Sequence, residues 1–131
     1  MSLPLWCLFL AACLHVISKM PVGKAQAEAS GGYDNSSPRT QQNNLSDWGA
    51  RAVAAHQNQI ESFPLFAAGI LVAVVSGVDP TTAGYLGVAY LISRLIFIYA
   101  YVKDIATFRS MVWIVGFGCT LALLCSPAWS G

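Results

Sequence analysis

Apolar residues gather along this chain in four blocks, each near the roughly 20 residues that a helix needs to cross a bilayer. The first covers residues 3–20, with His15 as the only ionisable side chain ahead of Lys19. The second divides into a polar half opening near Asp47 and an apolar half from Phe63 to Val78, which predicts a helix over residues 47–78. The third, residues 81–102, is interrupted by a single charge, Arg94, and the fourth occupies residues 107–125. Nowhere do polar and apolar positions alternate with period two, which argues against a lipid-facing barrel.

The connections differ in character. Residues 24–45 are rich in Ser, Gly, Asn and Gln and read as a long, mobile polar loop. Ser46 or Asp47 is placed to cap the helix that follows. Ser76-Gly77-Val78-Asp79-Pro80 reads as a tight turn between antiparallel helices, with Pro80 suited to a first helical turn. Lys103 to Ala106 makes a second short connection. The pattern predicts one all-α domain over residues 1–131, an integral membrane four-helix bundle.

Composition strengthens this reading. The chain is 56% hydrophobic and only 10% charged, whereas soluble domains carry about a quarter charged residues. A net charge of +1 without any Lys/Arg cluster argues against a nucleic-acid partner. Six of the seven basic residues (Lys19, Lys24, Arg39, Arg51, Lys103 and Arg109) flank the first and third connections. The positive-inside rule assigns that side to the cytoplasm and both termini to the opposite compartment. A plain N-terminus points to a bacterial inner membrane. Leu10-Ala11-Ala12-Cys13 resembles a lipoprotein cleavage site, but no basic leader precedes it and the apolar run continues past it. Cys7, Cys13, Cys119 and Cys125 form no C-x-x-C pair and read as small hydrophobes. No metal site is expected.

Ionisable groups inside a span cost about 2.5–3.5 kcal/mol each on insertion scales and mark sites or internal pairs. Here they concentrate. Arg51, Asn58 and Glu61 fall at i, i+7 and i+10 on the second helix, one shared face, with His56 also on that helix. Pro64 follows and removes the donor for the Ile60 carbonyl, which can kink the helix. Tyr90, Arg94, Phe97 and Tyr101 share a face of the third helix, and Arg109-Ser110 opens the fourth. The set suits a small ligand with carboxylates and an amine, because Arg pairs with carboxylate and Glu with ammonium. A purely structural reading pairs Glu61 with Arg94 and treats Trp48, Tyr99, Tyr101 and Trp113 as interfacial anchors.

Residues 45–124 resemble the MAPEG family, the membrane-associated proteins in eicosanoid and glutathione metabolism. The resemblance rests on Arg51-Ala-Val-Ala-Ala-His-Gln-Asn-Gln-Ile-Glu61, on Phe63-Pro64-Leu65-Phe66, and on Arg94, Tyr101 and Arg109-Ser110. It implies a homotrimer of four-helix bundles that binds glutathione as co-substrate between subunits. Asn58 and Glu61 would hold the tripeptide's polar backbone, with Arg51, Arg94 and Tyr101 as further binding residues and Arg94 also able to brace Glu61. Arg109 would stabilise the thiolate beside the Ser110 hydroxyl. Ala54 stands where characterised eicosanoid-forming members usually carry arginine, a second polar or basic residue is often found in them near Gln57, and Phe97 stands where they tend to carry histidine or tyrosine. The implied function is a transferase or peroxidase acting on lipophilic electrophiles at the membrane. The alternatives are a non-catalytic membrane protein that keeps the fold for structure or lipid binding, and, less favoured, a small transporter, for which no inverted repeat exists.

Overall fold

The computed structural model describes residues 1–131, and they form six helices: α1 (Leu3–Glu28), α2 (Pro38–Asn43), α3 (Asp47–Val75), α4 (Pro80–Val102), α5 (Ala106–Leu124) and α6 (Ser126–Trp129). There are no strands. Four helices, α1, α3, α4 and α5, are long and apolar enough to cross a membrane. α3 and α4 pack together at the centre, with α1 and α5 on opposite flanks of that pair. The buried apolar core includes Cys7, Ala11, Phe66, Ile70, Tyr90 and Leu123. Large apolar side chains such as Trp6, Phe9, Val16, Leu71, Ile92 and Ile114 point outward, where hydrocarbon rather than water can solvate them.

Small residues set the helix spacing, as they do where lipid gives helices no hydrophobic reason to associate. A Cβ on Gly87 would lie 2.8 Å from the Cβ of Cys7, so α4 meets α1 backbone to backbone there. At Gly116 the same addition would fall 2.6 Å from the Ser93 hydroxyl, fixing α5 against α4.

The two short turns close in the same way. Gly77 has φ +72°, and Val78 donates its N–H to the Ala73 carbonyl at 3.0 Å. This reversal ends α3 at Val75, ahead of the predicted Val78. At the other turn Asp104 takes φ +60° and Ile105 donates to Ala100 at 2.9 Å. Both are Schellman closures, which satisfy the last carbonyls of a helix within the chain. α4 starts on a side-chain cap: Asp79 accepts from the Thr82 N–H and from the Thr82 hydroxyl, both at 2.9 Å. Pro80 occupies the first turn, as its fixed φ favours. Ser46 is the residue before α3, but its side chain makes no capping bond.

The first connection differs from the long loop expected over residues 24–45. α1 runs eight residues beyond Met20, through Pro21 to Glu28. Val22, Ala25 and Gln26 are buried there, and Ala25 packs against Gly49 of α3, so tertiary packing carries the helix past its polar end. The remaining segment is tied down by two glutamines. Gln26 Nε2 donates to the Pro38 carbonyl and to Gln41 Oε1, and Gln41 Nε2 donates to the carbonyls of Gly32 and Gln26. α3 likewise continues through Pro64 without interruption.

Candidate functional site

Arg94 is the largest fully buried side chain, at 2% exposure near the middle of α4. A guanidinium in that position needs acceptors, and α3 supplies two amides. Arg94 Nε donates to Gln59 Oε1 at 2.7 Å, and Nη2 donates to Asn58 Oδ1 at 2.8 Å. Its planar face lies 4.3 Å over the Phe97 ring. The expected pairing of Arg94 with Glu61 is therefore absent: the chain's one ion pair is the surface contact between Lys24 and Glu28. The reason is geometric, since Asn58 and Gln59 reach inward to α4 while Glu61 points out and stays exposed. Neutral amides hold the cation without cancelling its charge.

Two adjoining cavities flank this anchor. One, of about 160 Å³, is lined by Asn58, Glu61, Ser62, Leu65, Arg94, Trp113, Phe117 and Thr120. The other, of about 320 Å³, is lined by Asn58, Phe97, Tyr101, Arg109, Ser110, Trp113 and Ile114. Asn58 and Trp113 belong to both, so the two form one continuous surface across α3, α4 and α5. Arg109 stacks on the Tyr101 ring at 4.3 Å, and Tyr101 meets Phe97 edge to face at 5.6 Å. The result is an aromatic floor with a guanidinium at each end. Arg109 has no carboxylate partner, and neither does Glu61 have a cation. Ser110 donates its hydroxyl back to the Ala106 carbonyl at 3.2 Å.

Six of the seven residues expected from sequence thus gather here: Asn58, Glu61, Arg94, Tyr101, Arg109 and Ser110. Arg51 does not. It lies near the start of α3, donates Nε to the Val102 carbonyl at 3.2 Å, and lines a different groove between α1, α3 and α4. Ten residues of α3 span about 15 Å, so sharing a helical face does not place Arg51 in the same cavity as Glu61. His56 also turns away, with Nδ1 2.7 Å from the Ser18 hydroxyl and its ring edge-on to His15 at 5.1 Å. Tyr90 is a packing residue, stacked on Phe66 at 3.7 Å and hydrogen-bonded to Ser62 at 2.8 Å.

Sequence reasoning missed Gln59, which bonds Arg94 on α4 as Asn58 does but lines neither cavity. The signal was present in principle: an intramembrane arginine requires an acceptor roughly one helix diameter away. It also missed the lining roles of Ser62, Leu65, Phe117 and Thr120.

Chemically, the surface offers two cations, one free carboxylate and one amide, next to an apolar wall. The model for the MAPEG family matches residues 3–129 of the chain. No curated protein matches it.

Proposed function

The chain belongs to the MAPEG family, and from that premise we propose that it is a glutathione-dependent transferase or peroxidase acting on lipophilic electrophiles delivered by the membrane. Family membership and four apolar helices make it an integral, multi-pass membrane protein of that family. The observation that carries the finer reading is Arg109. It sits in a cavity with Asn58, Tyr101 and Ser110, held by an aromatic ring and free of any carboxylate.

A cation beside a thiol favours its ionised form, and the thiolate is the nucleophile. Arg109 would hold the glutathione sulfur as thiolate after its proton passes to solvent. The sulfur electron pair then forms an S–C bond with the electrophile, and the displaced pair departs on the leaving group. Glu61, exposed and unpaired, suits the tripeptide's ammonium. Arg94, whose charge is held but not cancelled, suits a carboxylate. Asn58 spends its oxygen on Arg94, which leaves its NH2 for the ligand. The exposed Met111 and Ile114 near the Arg109 cavity are consistent with a neighbouring subunit completing the wall, as in a homotrimer. The basic side would face the cytoplasm of a bacterial inner membrane, with both termini opposite.

A non-catalytic role is the second reading. It is favoured by the self-sufficiency of Arg94, Gln59 and Asn58, which join α3 to α4 without a ligand, and by the Ser110 hydroxyl bonding its own helix. Titrating glutathione into the detergent-purified protein while following thiolate ultraviolet absorbance separates the two. A saturable signal lost in Arg109→Ala is the expected result. No signal and no binding at millimolar glutathione would replace the enzyme with the structural reading.

A further inference from the structure

We propose that the groove between α1, α3 and α4 binds one anionic phospholipid, at a site separate from the glutathione surface. The groove encloses about 930 Å³, against about 160 and 320 Å³ for the two cavities beside Asn58, and it shares no lining residue with them. Its rim carries Lys24, Arg51 and Lys103 against one acid, Glu28. Lys24 Nζ lies 3.9 Å from Glu28, so that pair balances itself and leaves Arg51 and Lys103 uncompensated.

Arg51 is built into the rim. Its Nε bond to the Val102 carbonyl fixes the guanidinium at the mouth, while its two terminal nitrogens have no protein partner. A fixed two-pronged donor beside a lysine ammonium matches the oxygens of a phosphodiester. A choline headgroup would bring a further cation to a rim that already has an excess of them. Trp48 and Tyr99 also line the groove, the aromatic types found where acyl chain meets headgroup.

Away from the rim the walls turn apolar, with Ile17 and Met20 on α1 facing Leu95 and Ile98 on α4. Ile17 stands seven residues from Lys24, and Leu95 seven from Val102. At helical rise each wall therefore descends about 10 Å below the charged end. Charge at one level and apolar depth beneath it fit a lipid lying parallel to the helices. A free phosphate ion would use only the rim, and a fatty acid would present a carboxylate and a single chain.

Native mass spectrometry of the full chain, delipidated and then re-lipidated in detergent, tests the assignment. The probes are phosphatidylglycerol and phosphatidylcholine with the same acyl chains, and oleate as the carboxylate control. One phosphatidylglycerol should be retained per subunit, at least about tenfold in preference to phosphatidylcholine. Removing each cation should cost about fivefold, so Arg51→Gln with Lys103→Gln together should lose about 25-fold. Glu61→Gln should retain phosphatidylglycerol as the parent does. Equal retention of both phospholipids, undiminished binding in the double variant, or displacement of phosphatidylglycerol by oleate would each overturn the proposal. A readout on the parent protein needs no variant to fold. Phosphatidylglycerol with brominated chains should quench tryptophan fluorescence at a lower mole fraction than brominated phosphatidylcholine, and equal quenching overturns the site. None of these outcomes depends on glutathione binding.

Discussion

Removing Gln59 should destabilise the parent protein but stabilise a variant that already lacks Arg94. In the parent, Gln59 Oε1 accepts a charged donor at 2.7 Å, and Gln59 is 1% exposed. A hydrogen bond to a charged group contributes about 1.5–3 kcal/mol. Gln59→Leu removes it and leaves Arg94 Nε buried without an acceptor. Its one compensation is the loss of Gln59 Nε2, which is buried with no partner. Once Arg94→Met is in place, both polar atoms of Gln59 are orphans, each costing about 1–3 kcal/mol, and leucine relieves both. The Nε2 relief cancels between the two backgrounds, so the two changes should couple by at least about 2.5 kcal/mol, toward the top of the range for residues in one network. Neutral interhelical hydrogen bonds in membranes average about 0.6 kcal/mol and reach about 1.7, so a value above that ceiling identifies the charge as the source. Unfolding of the four proteins by sodium dodecyl sulfate in mixed micelles, followed by far-ultraviolet circular dichroism, gives the cycle. Additivity within about 0.5 kcal/mol would refute the pairing.

Gly116→Ala sets a Cβ 2.6 Å from a hydroxyl that is itself held to the Tyr90 carbonyl at 2.7 Å, and should cost about 1–3 kcal/mol in the same unfolding assay. Adding Ser93→Ala should recover most of that loss, because the Ser93 Cβ stands 3.6 Å away. Asp104→Gly relieves a left-handed backbone at φ +60° and should raise stability by about 0.5–1 kcal/mol. The Asp79 carboxyl is held below the ordinary carboxylate range by the Thr82 N–H and hydroxyl. A depressed folded pKa adds stability above the unfolded value, near 4, and loses it as pH falls through the folded value. The gap in thermal midpoint between the parent and Asp79→Ala should accordingly be full at pH 7 and close under strong acid.

The four spans were legible because lipid imposes one simple demand, an apolar run of the right length, and the chain meets it four times. Gly77, Asp79 and Pro80 announced their turn because each acts through its own backbone or nearest neighbours. The end of α1 was hidden, since Val22, Ala25 and Gln26 are helical by virtue of what they touch on distant segments. The site divides along the same line. Residue types that must converge for chemistry, such as Arg94, Asn58 and Arg109, were visible as costly polar groups in an apolar field. Which partner each one takes was not. Arg94 could be assigned to Glu61 on charge alone, yet Gln59 and Asn58 win because their side chains point inward and Glu61 does not. Arg51 shares a helical face with Glu61 but not a depth, and period alone says nothing about depth.

The α3–α4 turn has a consequence for how the chain is made. In the proposed orientation, with the basic side cytoplasmic, four residues, Ser76 to Asp79, are carried through hydrocarbon as the nascent protein enters its membrane, and their composition makes that passage cheap. The turn holds no Lys or Arg. Its outgoing carbonyls are closed by Val78 and its incoming amides by Asp79, so little bare backbone travels with it. Asp79 is the one charge delivered across. α3 and α4 can therefore insert together as a pre-closed helical hairpin, held back at its open end by the basic residues that bracket the pair. A lysine placed at Ser76 would add a second and far less welcome passenger, and the two halves of the bundle would then compete over which way round to settle.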